Sequence, residues 1–137
     1  SMGLLWERLI LEVEADKGLL PGWELPLKDG ITGTPDGVHL EEEYIMESKL
    51  TWKSVRSGWP ADNWRYMTQV QAYLYNLGWN RARFWIMFVN GGYSRPPVKD
   101  GPLVSCTDIT FTDLELNENW RMLVNESLRQ DNERGPK

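Results

Sequence analysis

The sequence predicts an α/β fold of the α+β type, in which one central mixed β-sheet is flanked by helices. Three observations support this prediction. The 137 residues suit a single compact domain. Of these residues, 41% are apolar, and the patterns along the chain follow the order helix, several strands, helix, strand, strand, helix. We expect the domain to span residues 2–131, and residues 132–137 to form a polar, frayed tail.

The first helical pattern covers residues 4–15. It carries apolar side chains at Leu5, Leu9 and Val13, with Trp6 and Ile10 alongside. Intervals of four residues return to the same side of a helix, so this spacing favours a helix over a strand. The helix ends before Gly18, because glycine is typical of the position after a helix.

Two longer helices are predicted at residues 64–78 and 113–130. The apolar stripe of the first consists of Met67, Val70, Leu74 and Leu77. Gly78 follows this stripe and is a suitable C-cap. The second helix begins at Thr112 or Asp113, either of which is a suitable N-cap.

Five segments are predicted to be strands: residues 23–27, 38–40, 44–50, 83–90 and 103–111. Residues 31–34 lead into Pro35-Asp36-Gly37, which has the chemistry of a tight turn. Side chains alternate between the two faces of a strand. Along residues 44–50, Glu47 and Lys49 therefore lie on one face, together with Ile45.

Composition limits the classes of function. The net charge is −5, whereas proteins that bind nucleic acid through their overall field are basic. Any binding to DNA must then come from a local patch or from metal ions at an acidic site. The one cysteine, Cys106, excludes an intramolecular disulfide, a four-cysteine zinc site and a protein-held iron–sulfur cluster. It favours a reducing compartment, and we expect a soluble, cytoplasmic protein that is not secreted.

Two acids and a lysine form the candidate catalytic group. Asp36 and Glu47 on neighbouring strands offer hard oxygen ligands for Mg²⁺ or Mn²⁺, with the Ser48 carbonyl as a further ligand. Lys49 shares a face with Glu47, where it orients a nucleophilic water or stabilises charge developing on a phosphate. Taken singly, Asp36 is more often an ordinary turn residue, and Glu47 with Lys49 a solvated ion pair. Their order and spacing favour the catalytic interpretation.

The string Gly33-Thr34-Pro35-Asp36-Gly37, then Glu47-Ser48-Lys49, then Gln69-Val70-Gln71-Ala72-Tyr73 resembles the PD-(D/E)XK nuclease superfamily. It is most similar to the RecB-like and phage lambda exonuclease-like branch, over residues from about 7 to 90. The resemblance implies a restriction-endonuclease-like core. It also implies that Asp36, Glu47 and the Ser48 carbonyl bind metal.

The same resemblance assigns the remaining site residues. Lys49 matches the catalytic lysine, Gln69 the helix glutamine that supports the site, and Tyr73 the tyrosine of the broader QxxxY form. Glu7 matches a further metal-binding acid on the first helix. Glu12 is its rival, and a solvated helix glutamate is an equal alternative for Glu7.

DNA is predicted to contact the segment that follows Lys49. Its basic and aromatic side chains grip phosphates and stack on unpaired bases; the candidates are Trp52, Lys53, Arg56 and Arg65. The alternative is that the tryptophans of this segment cover the core, since tryptophan is highly buried on average. His39, the single histidine, is interpreted as structural rather than as a catalytic base.

Three functions remain open at this point. The first is a metal-dependent deoxyribonuclease, most simply an exonuclease of phage recombination or repair in a bacterial or phage-infected cell. The second is an endonuclease of the restriction or junction-resolving type. The third is a DNA-binding or assembly module without activity. A homo-oligomer or a recombination partner protein is a further expectation.

Overall fold

The computed structural model describes residues 1–52, 63–89 and 102–134. The elements follow in the order α1 (Met2–Glu14), β1 (Leu20–Pro21), β2 (Gly37–His39), β3 (Tyr44–Thr51), α2 (Trp64–Leu77), β4 (Arg81–Phe88), β5 (Leu103–Thr110) and α3 (Asp113–Arg134). A short 3₁₀ turn, Ala15–Lys17, follows α1.

The five strands form one sheet in the order β1-β2-β3-β4-β5. The β1–β2, β2–β3 and β4–β5 pairs are antiparallel. The β3–β4 pair is parallel, and α2 lies in the crossover between these two strands. The predicted α+β domain with a mixed sheet and flanking helices is therefore confirmed.

The sheet separates two apolar layers. Ile45 and Phe84 point to the layer that contains α2, where they pack with Val70 and Leu74. The opposite face packs against α1, and its buried members include Trp6, Ile10, Tyr44 and Met46. Neighbouring residues of β3 thus contribute to opposite layers, as the alternation of a strand requires.

The orientation of α1 differs from the simplest interpretation of its sequence. Trp6, Ile10 and Glu14 are its buried residues, whereas Leu5, Leu9 and Val13 are exposed. The Trp6 indole N–H donates a hydrogen bond to the Trp85 carbonyl over 3.2 Å. Two stripes on α1 have helical spacing, and packing of the larger indole against the sheet selects the Trp6 stripe.

Side-chain caps define the longer helices. Asn63 accepts a hydrogen bond from the Tyr66 N–H, and Gly78 ends α2 in the left-handed region with φ of 76°. Thr112 and Glu115 form a reciprocal capping box at the start of α3. These features agree with the predicted helix starts and with the Gly78 C-cap.

Several boundaries differ from the predictions. α3 continues to Arg134, four residues beyond its predicted end, and Arg129 pairs there with Glu126 and Glu133 on the same helix. β4 begins two residues earlier than predicted, at Arg81. Residues 23–27 are not a strand, and a hydrogen bond from the Leu25 N–H to the Gly33 carbonyl holds this segment instead.

Most of the described tryptophans are not fully buried, although tryptophan is highly buried on average. Of the seven tryptophans that the structure describes, only Trp6 and Trp120 are buried. Trp52 and Trp64 are about two-thirds exposed, at 65% and 67%.

No helix within residues 1–52, 63–89 and 102–134 is long and apolar enough to cross a bilayer.

Candidate active site

Asp36 and Glu47 are neighbours across the β2–β3 pair. The register ends where Gly37 pairs with Met46, and Asp36 is the residue just before β2. The chain bends at Asp36, as expected of the turn-forming residues around it. The Asp36 carboxyl group is close enough to that of Glu47 to interact with it.

Asp36 is held by its backbone and by its side chain. Its carbonyl accepts a hydrogen bond of 3.0 Å from the Gly22 N–H. Its Oδ2 accepts two hydrogen bonds from Ser48, one from the N–H at 2.9 Å and one from Oγ at 3.1 Å. Ser48 was predicted to offer its carbonyl to a metal. That role stays a prediction; the Ser48 N–H and hydroxyl group have a separate role, which is to orient the Asp36 carboxylate.

Glu47 is the most perturbed acid of this group. Its side chain is buried, with 5% of the residue exposed, and among the described residues its Oε1 has no hydrogen-bond partner. Burial raises the pKa of Glu47 well above its usual range, and the charge and side-chain hydrogen bond of Asp36 raise it further. The Asp36 backbone opposes this change. An ionised Glu47 next to Asp36 is therefore unfavourable unless a cation compensates it.

Glu7 reaches the edge of this pair from α1. Burial and then the charge of Asp36 raise the pKa of Glu7, while Arg8 lowers it. Glu12, the rival acid, is exposed. In the part of the chain that the structure describes, however, no three His, Cys, Asp or Glu side chains approach closely enough to hold a metal ion.

The donor set nevertheless fits a hard divalent cation in one respect. The carboxyl groups of Asp36 and Glu47 interact with each other, and the buried Oε1 of Glu47 has no hydrogen-bond partner among the described residues. Mg²⁺ keeps several waters and is commonly held by only one or two carboxylates. A two-carboxylate pair is thus sufficient for such an ion, and Glu7 is close enough to influence its charge without completing a three-acid cluster.

One face of α2 closes over the acids. Burial, followed by the charges of Glu47 and Asp36, raises the pKa of Tyr73 to about 12, and hydrogen bonds with the Gln69 side chain and the Thr34 backbone oppose the change. Gln69 and Tyr73, one helical turn apart, therefore interact as their spacing predicted.

Tyr73 also packs against a glycine. A Cβ atom built on Gly33 would lie 2.3 Å from a carbon of the Tyr73 ring. Such an approach is possible only without a side chain, so Gly33 allows the ring to lie against the chain just before Asp36. Packing against the Tyr73 ring therefore accounts for the glycine at the start of the string Gly33-Thr34-Pro35-Asp36-Gly37.

Tyr66 is a site residue that the sequence analysis did not assign. Burial raises its pKa, and the charges of Glu47 and Asp36 contribute to the same direction. Its ring lies 5.8 Å from that of Phe84, the residue paired with Glu47 in the β3–β4 register. Tyr66, Gln69 and Tyr73 share one helix face. Their spacing in the sequence is the feature that would have identified Tyr66.

Lys49 lies two residues beyond Glu47 on β3 and is exposed. Because side chains of a strand alternate, Lys49 projects from the same face as Glu47. The structure thus brings Asp36 and Glu47 together, with Ser48 bonded to Asp36, Lys49 on the Glu47 face of β3 and Glu7 at the edge.

The predicted DNA-contacting segment is described only at its two ends. Lys53 and Arg56 lie outside the described residues. Trp52 directly follows β3, and Arg65 lies on the first turn of α2. The Arg65 guanidinium is 5.5 Å from the centre of the Trp64 ring, so an exposed aromatic side chain and a cation occur together near the Lys49 end of β3.

His39 is structural. It is buried and stacks on Tyr44 with ring centres 4.8 Å apart. Its Nε2 lies 2.6 Å from the Lys17 carbonyl, and its Nδ1 accepts a hydrogen bond of 3.0 Å from the Glu42 N–H. Nε2 therefore carries the proton that is donated to Lys17.

Comparisons with known proteins assign no family. No protein-family model matches the chain, and no curated protein matches it. The chain is similar to a solved structure titled "Crystal structure of SSO0001", with 16% sequence identity and a TM-score of 0.48. The similarity covers 89% of this chain but only 59% of that one.

Proposed function

We propose that the protein is a metal-dependent deoxyribonuclease that hydrolyses phosphodiester bonds, with Mg²⁺ or Mn²⁺ bound by Asp36 and Glu47. The observation that carries this proposal is the buried Glu47 carboxyl beside that of Asp36. A fold retains such a pair at a cost to its stability. A role in binding a cation supplies the reason for that cost.

The lysine makes the pair suited to phosphate chemistry. Lys49 places a positive charge on the face of Glu47, at the solvent end of the site, where a phosphate can enter. A bound divalent metal ion supplies an acidified water and neutralises charge on the phosphate. The Lys49 ammonium orients the attacking water or stabilises the charge that develops on the phosphate oxygens.

The surrounding residues position these groups. Ser48 fixes the Asp36 carboxylate through two hydrogen bonds. Gln69 and Tyr73 interact on the α2 face, and Tyr73 is close enough to Glu47 and Asp36 for their charges to raise its pKa. Glu7 adds negative charge at the edge of the site, and we propose it as an additional metal ligand through water.

Aromatic and basic side chains near the Lys49 end of β3 are suited to contact a DNA substrate. Trp52 and Trp64 expose large ring surfaces, and base–aromatic stacking favours unpaired nucleotides. Arg65 adds a cation beside Trp64, and Lys53 and Arg56 are predicted to add charge to the same surface. An exonuclease of phage recombination or repair, in the cytoplasm of a bacterial or phage-infected cell, is the form of this activity that the sequence resemblance favours.

The direct test is cleavage of linear and closed circular DNA in Mg²⁺, in Mn²⁺ and in EDTA. We expect metal-dependent cleavage that Lys49→Ala and Asp36→Asn each reduce by about a hundredfold or more. Lys28→Ala is the matched control, because Lys28 lies over the Tyr75 ring on the far side of α2. The proposal is wrong if neither DNA form is cut, or if Lys49→Ala cleaves as fast as the control.

The same experiment separates the alternatives. Cleavage of closed circles indicates an endonuclease, since an exonuclease needs an end. A gel shift in Ca²⁺ without cleavage in Mg²⁺ or Mn²⁺ indicates a binding module. Binding that survives about 0.2 M salt would make a basic partner protein unnecessary for this acidic chain.

A further inference from the structure

A cavity of about 400 Å³ opens at the end of the sheet where β3 and β4 begin. It lies between the turn before β3, the end of α2, the start of β4 and the start of α3. Its buried apolar lining residue is Leu116. The lining within the described residues excludes Asp36, Glu47 and Lys49. The cavity is therefore separate from the candidate active site.

The cavity carries uncompensated negative charge. Glu43 and Asp113 line it, and no basic residue does so within the described part of the chain. Neither acid belongs to an ion pair among the described residues. α2 ends at the cavity with Gly78, and the C-terminus of a helix adds partial negative charge. Asp113 lies in the first turn of α3, where the positive end of that helix offsets part of its charge, so Glu43 is the less compensated acid.

The backbone of Glu43 is strained. Its φ is 55°, in the left-handed region that glycine adopts freely and glutamate does not. A glutamate at this position costs stability that a glycine would not. Strain of this kind is concentrated at sites that bind ligands. Its location at the rim of an acidic cavity favours a role for the Glu43 carboxylate in binding.

The remaining lining suits a cation with an apolar stem. Trp79 and Tyr75 line the cavity, and aromatic rings attract cations to their faces. The Lys28 ammonium already lies 4.9 Å from the centre of the Tyr75 ring, although Lys28 does not line the cavity. Asn80 and Asn117 add side-chain amide oxygens that accept hydrogen bonds. Carboxylates, amide oxygens and an aromatic ring are the partners that a guanidinium or ammonium group needs.

We propose that this cavity binds a small organic cation, an alkylguanidinium or alkylammonium group, with its charge beside Glu43 and Asp113 and its stem against Trp79 and Leu116. The volume lies near the lower end of the range for ligand sites, roughly 300–1,000 Å³. A guanidinium fits this lining best, because it stacks on aromatic rings and pairs with carboxylates through two hydrogen bonds. The inference goes beyond the proposed activity and does not depend on it.

The experiment is titration of the full chain with n-butylguanidinium, followed by NMR of the tryptophan indole N–H groups. The Trp79 resonance is assigned by its loss in Trp79→Phe. We expect a saturable shift of this resonance with a dissociation constant of about 0.1–1 mM at low salt. n-Butylurea is the matched neutral compound of the same shape and should bind at least tenfold more weakly. The tripeptide acetyl-Gly-Arg-Gly-amide separates two sources of the cation: binding as tight as that of n-butylguanidinium indicates an arginine side chain of a partner protein, and weaker binding indicates a free small molecule.

Substitutions at the cavity test the assignment of the acids. Glu43→Gln should weaken binding of n-butylguanidinium about tenfold, and Asp113→Asn somewhat less. Glu41→Gln and Glu118→Gln are matched controls, because both glutamates are exposed and neither lines the cavity; they should bind within about twofold of the wild type.

Glu43→Gly separates binding from folding. It should bind as weakly as Glu43→Gln and unfold at the same or a higher temperature than the wild type, because glycine relieves the strain. The proposal is overturned if n-butylguanidinium gives no saturable shift up to about 20 mM, or if n-butylurea binds equally well. It is also overturned if Glu41→Gln weakens binding as much as Glu43→Gln does.

Discussion

Replacing Glu47 with glutamine should make the metal-free protein more stable at pH 8. The carboxyl is buried and its pKa is raised by burial first and by Asp36 second. A group whose pKa is higher in the folded state contributes stability below its unfolded pKa and loses that contribution as pH rises through the folded value. Glutamine is neutral at every pH, so the Glu47→Gln variant does not lose this stability as the pH rises.

The expected size follows from the environment of Glu47. Replacing a buried, poorly compensated charge with a neutral group of similar shape stabilises proteins by about 1–4 kcal/mol. For an ordinary glutamate with pKa 4.5, the advantage of the variant should be small near pH 4 and should grow to about 2 kcal/mol at pH 8. In a chain of this size this is a rise of roughly 6–8 °C in melting temperature.

Metal should reverse the order of stability. An ion at a hundred times its dissociation constant stabilises the folded state by about 2.7 kcal/mol. The wild type should therefore gain about 10 °C in Mn²⁺, whereas Glu47→Gln, with one carboxylate removed, should gain little. In metal, the wild type is then the more stable protein.

Thermal unfolding followed by circular dichroism at pH 4, 6 and 8, in EDTA and in Mn²⁺, measures both effects. Glu118→Gln is the matched control, because Glu118 is an exposed glutamate on α3. The reasoning fails if Glu47→Gln is less stable than the wild type in EDTA at pH 8. It also fails if the difference between the two proteins is the same at every pH.

Three further substitutions test the packing around the site. Gly33→Ala should destabilise the fold by about 1–3 kcal/mol, because its methyl group meets the Tyr73 ring; urea unfolding measures this loss, and an unchanged midpoint contradicts it. His39→Phe keeps a ring on the neighbouring tyrosine but removes two buried hydrogen bonds, so we expect a loss of about 1–3 kcal/mol in the same assay. Thr112→Ala removes the cap shared with Glu115 and should cost about 1 kcal/mol, with Thr112→Ser close to the wild type as the control.

Local chemistry made much of this fold predictable. The α2 boundaries follow from a cap at each end, and the apolar stripe at Val70 and Leu74 is buried as its spacing indicates. The shared face of Glu47 and Lys49 follows from strand alternation alone. These features depend on residues close in sequence, so they can be predicted from a single sequence.

Other features depended on contacts between distant residues. α1 has two stripes with helical spacing, and only the position of Trp85 across the sheet decides that Trp6 is the buried one. Likewise, the contact between Asp36 and Glu47 depends on the pairing of β2 with β3, which brings these two residues together. The role of Ser48 depends on that pairing as well, since its hydrogen bonds to Asp36 cross between strands.

The contact between Gly22 and the Pro35-Asp36 backbone has a consequence for how this chain tolerates change. The Gly22 N–H donates to the Asp36 carbonyl, and a Cβ atom on Gly22 would lie only 1.7 Å from the Pro35 oxygen. Every side chain is therefore excluded at a position that carries no chemistry of its own. In a mutational scan, Gly22 should be as intolerant of substitution as the acids themselves. A screen for lost function would then assign a role in catalysis to a residue that contributes only a backbone without a side chain.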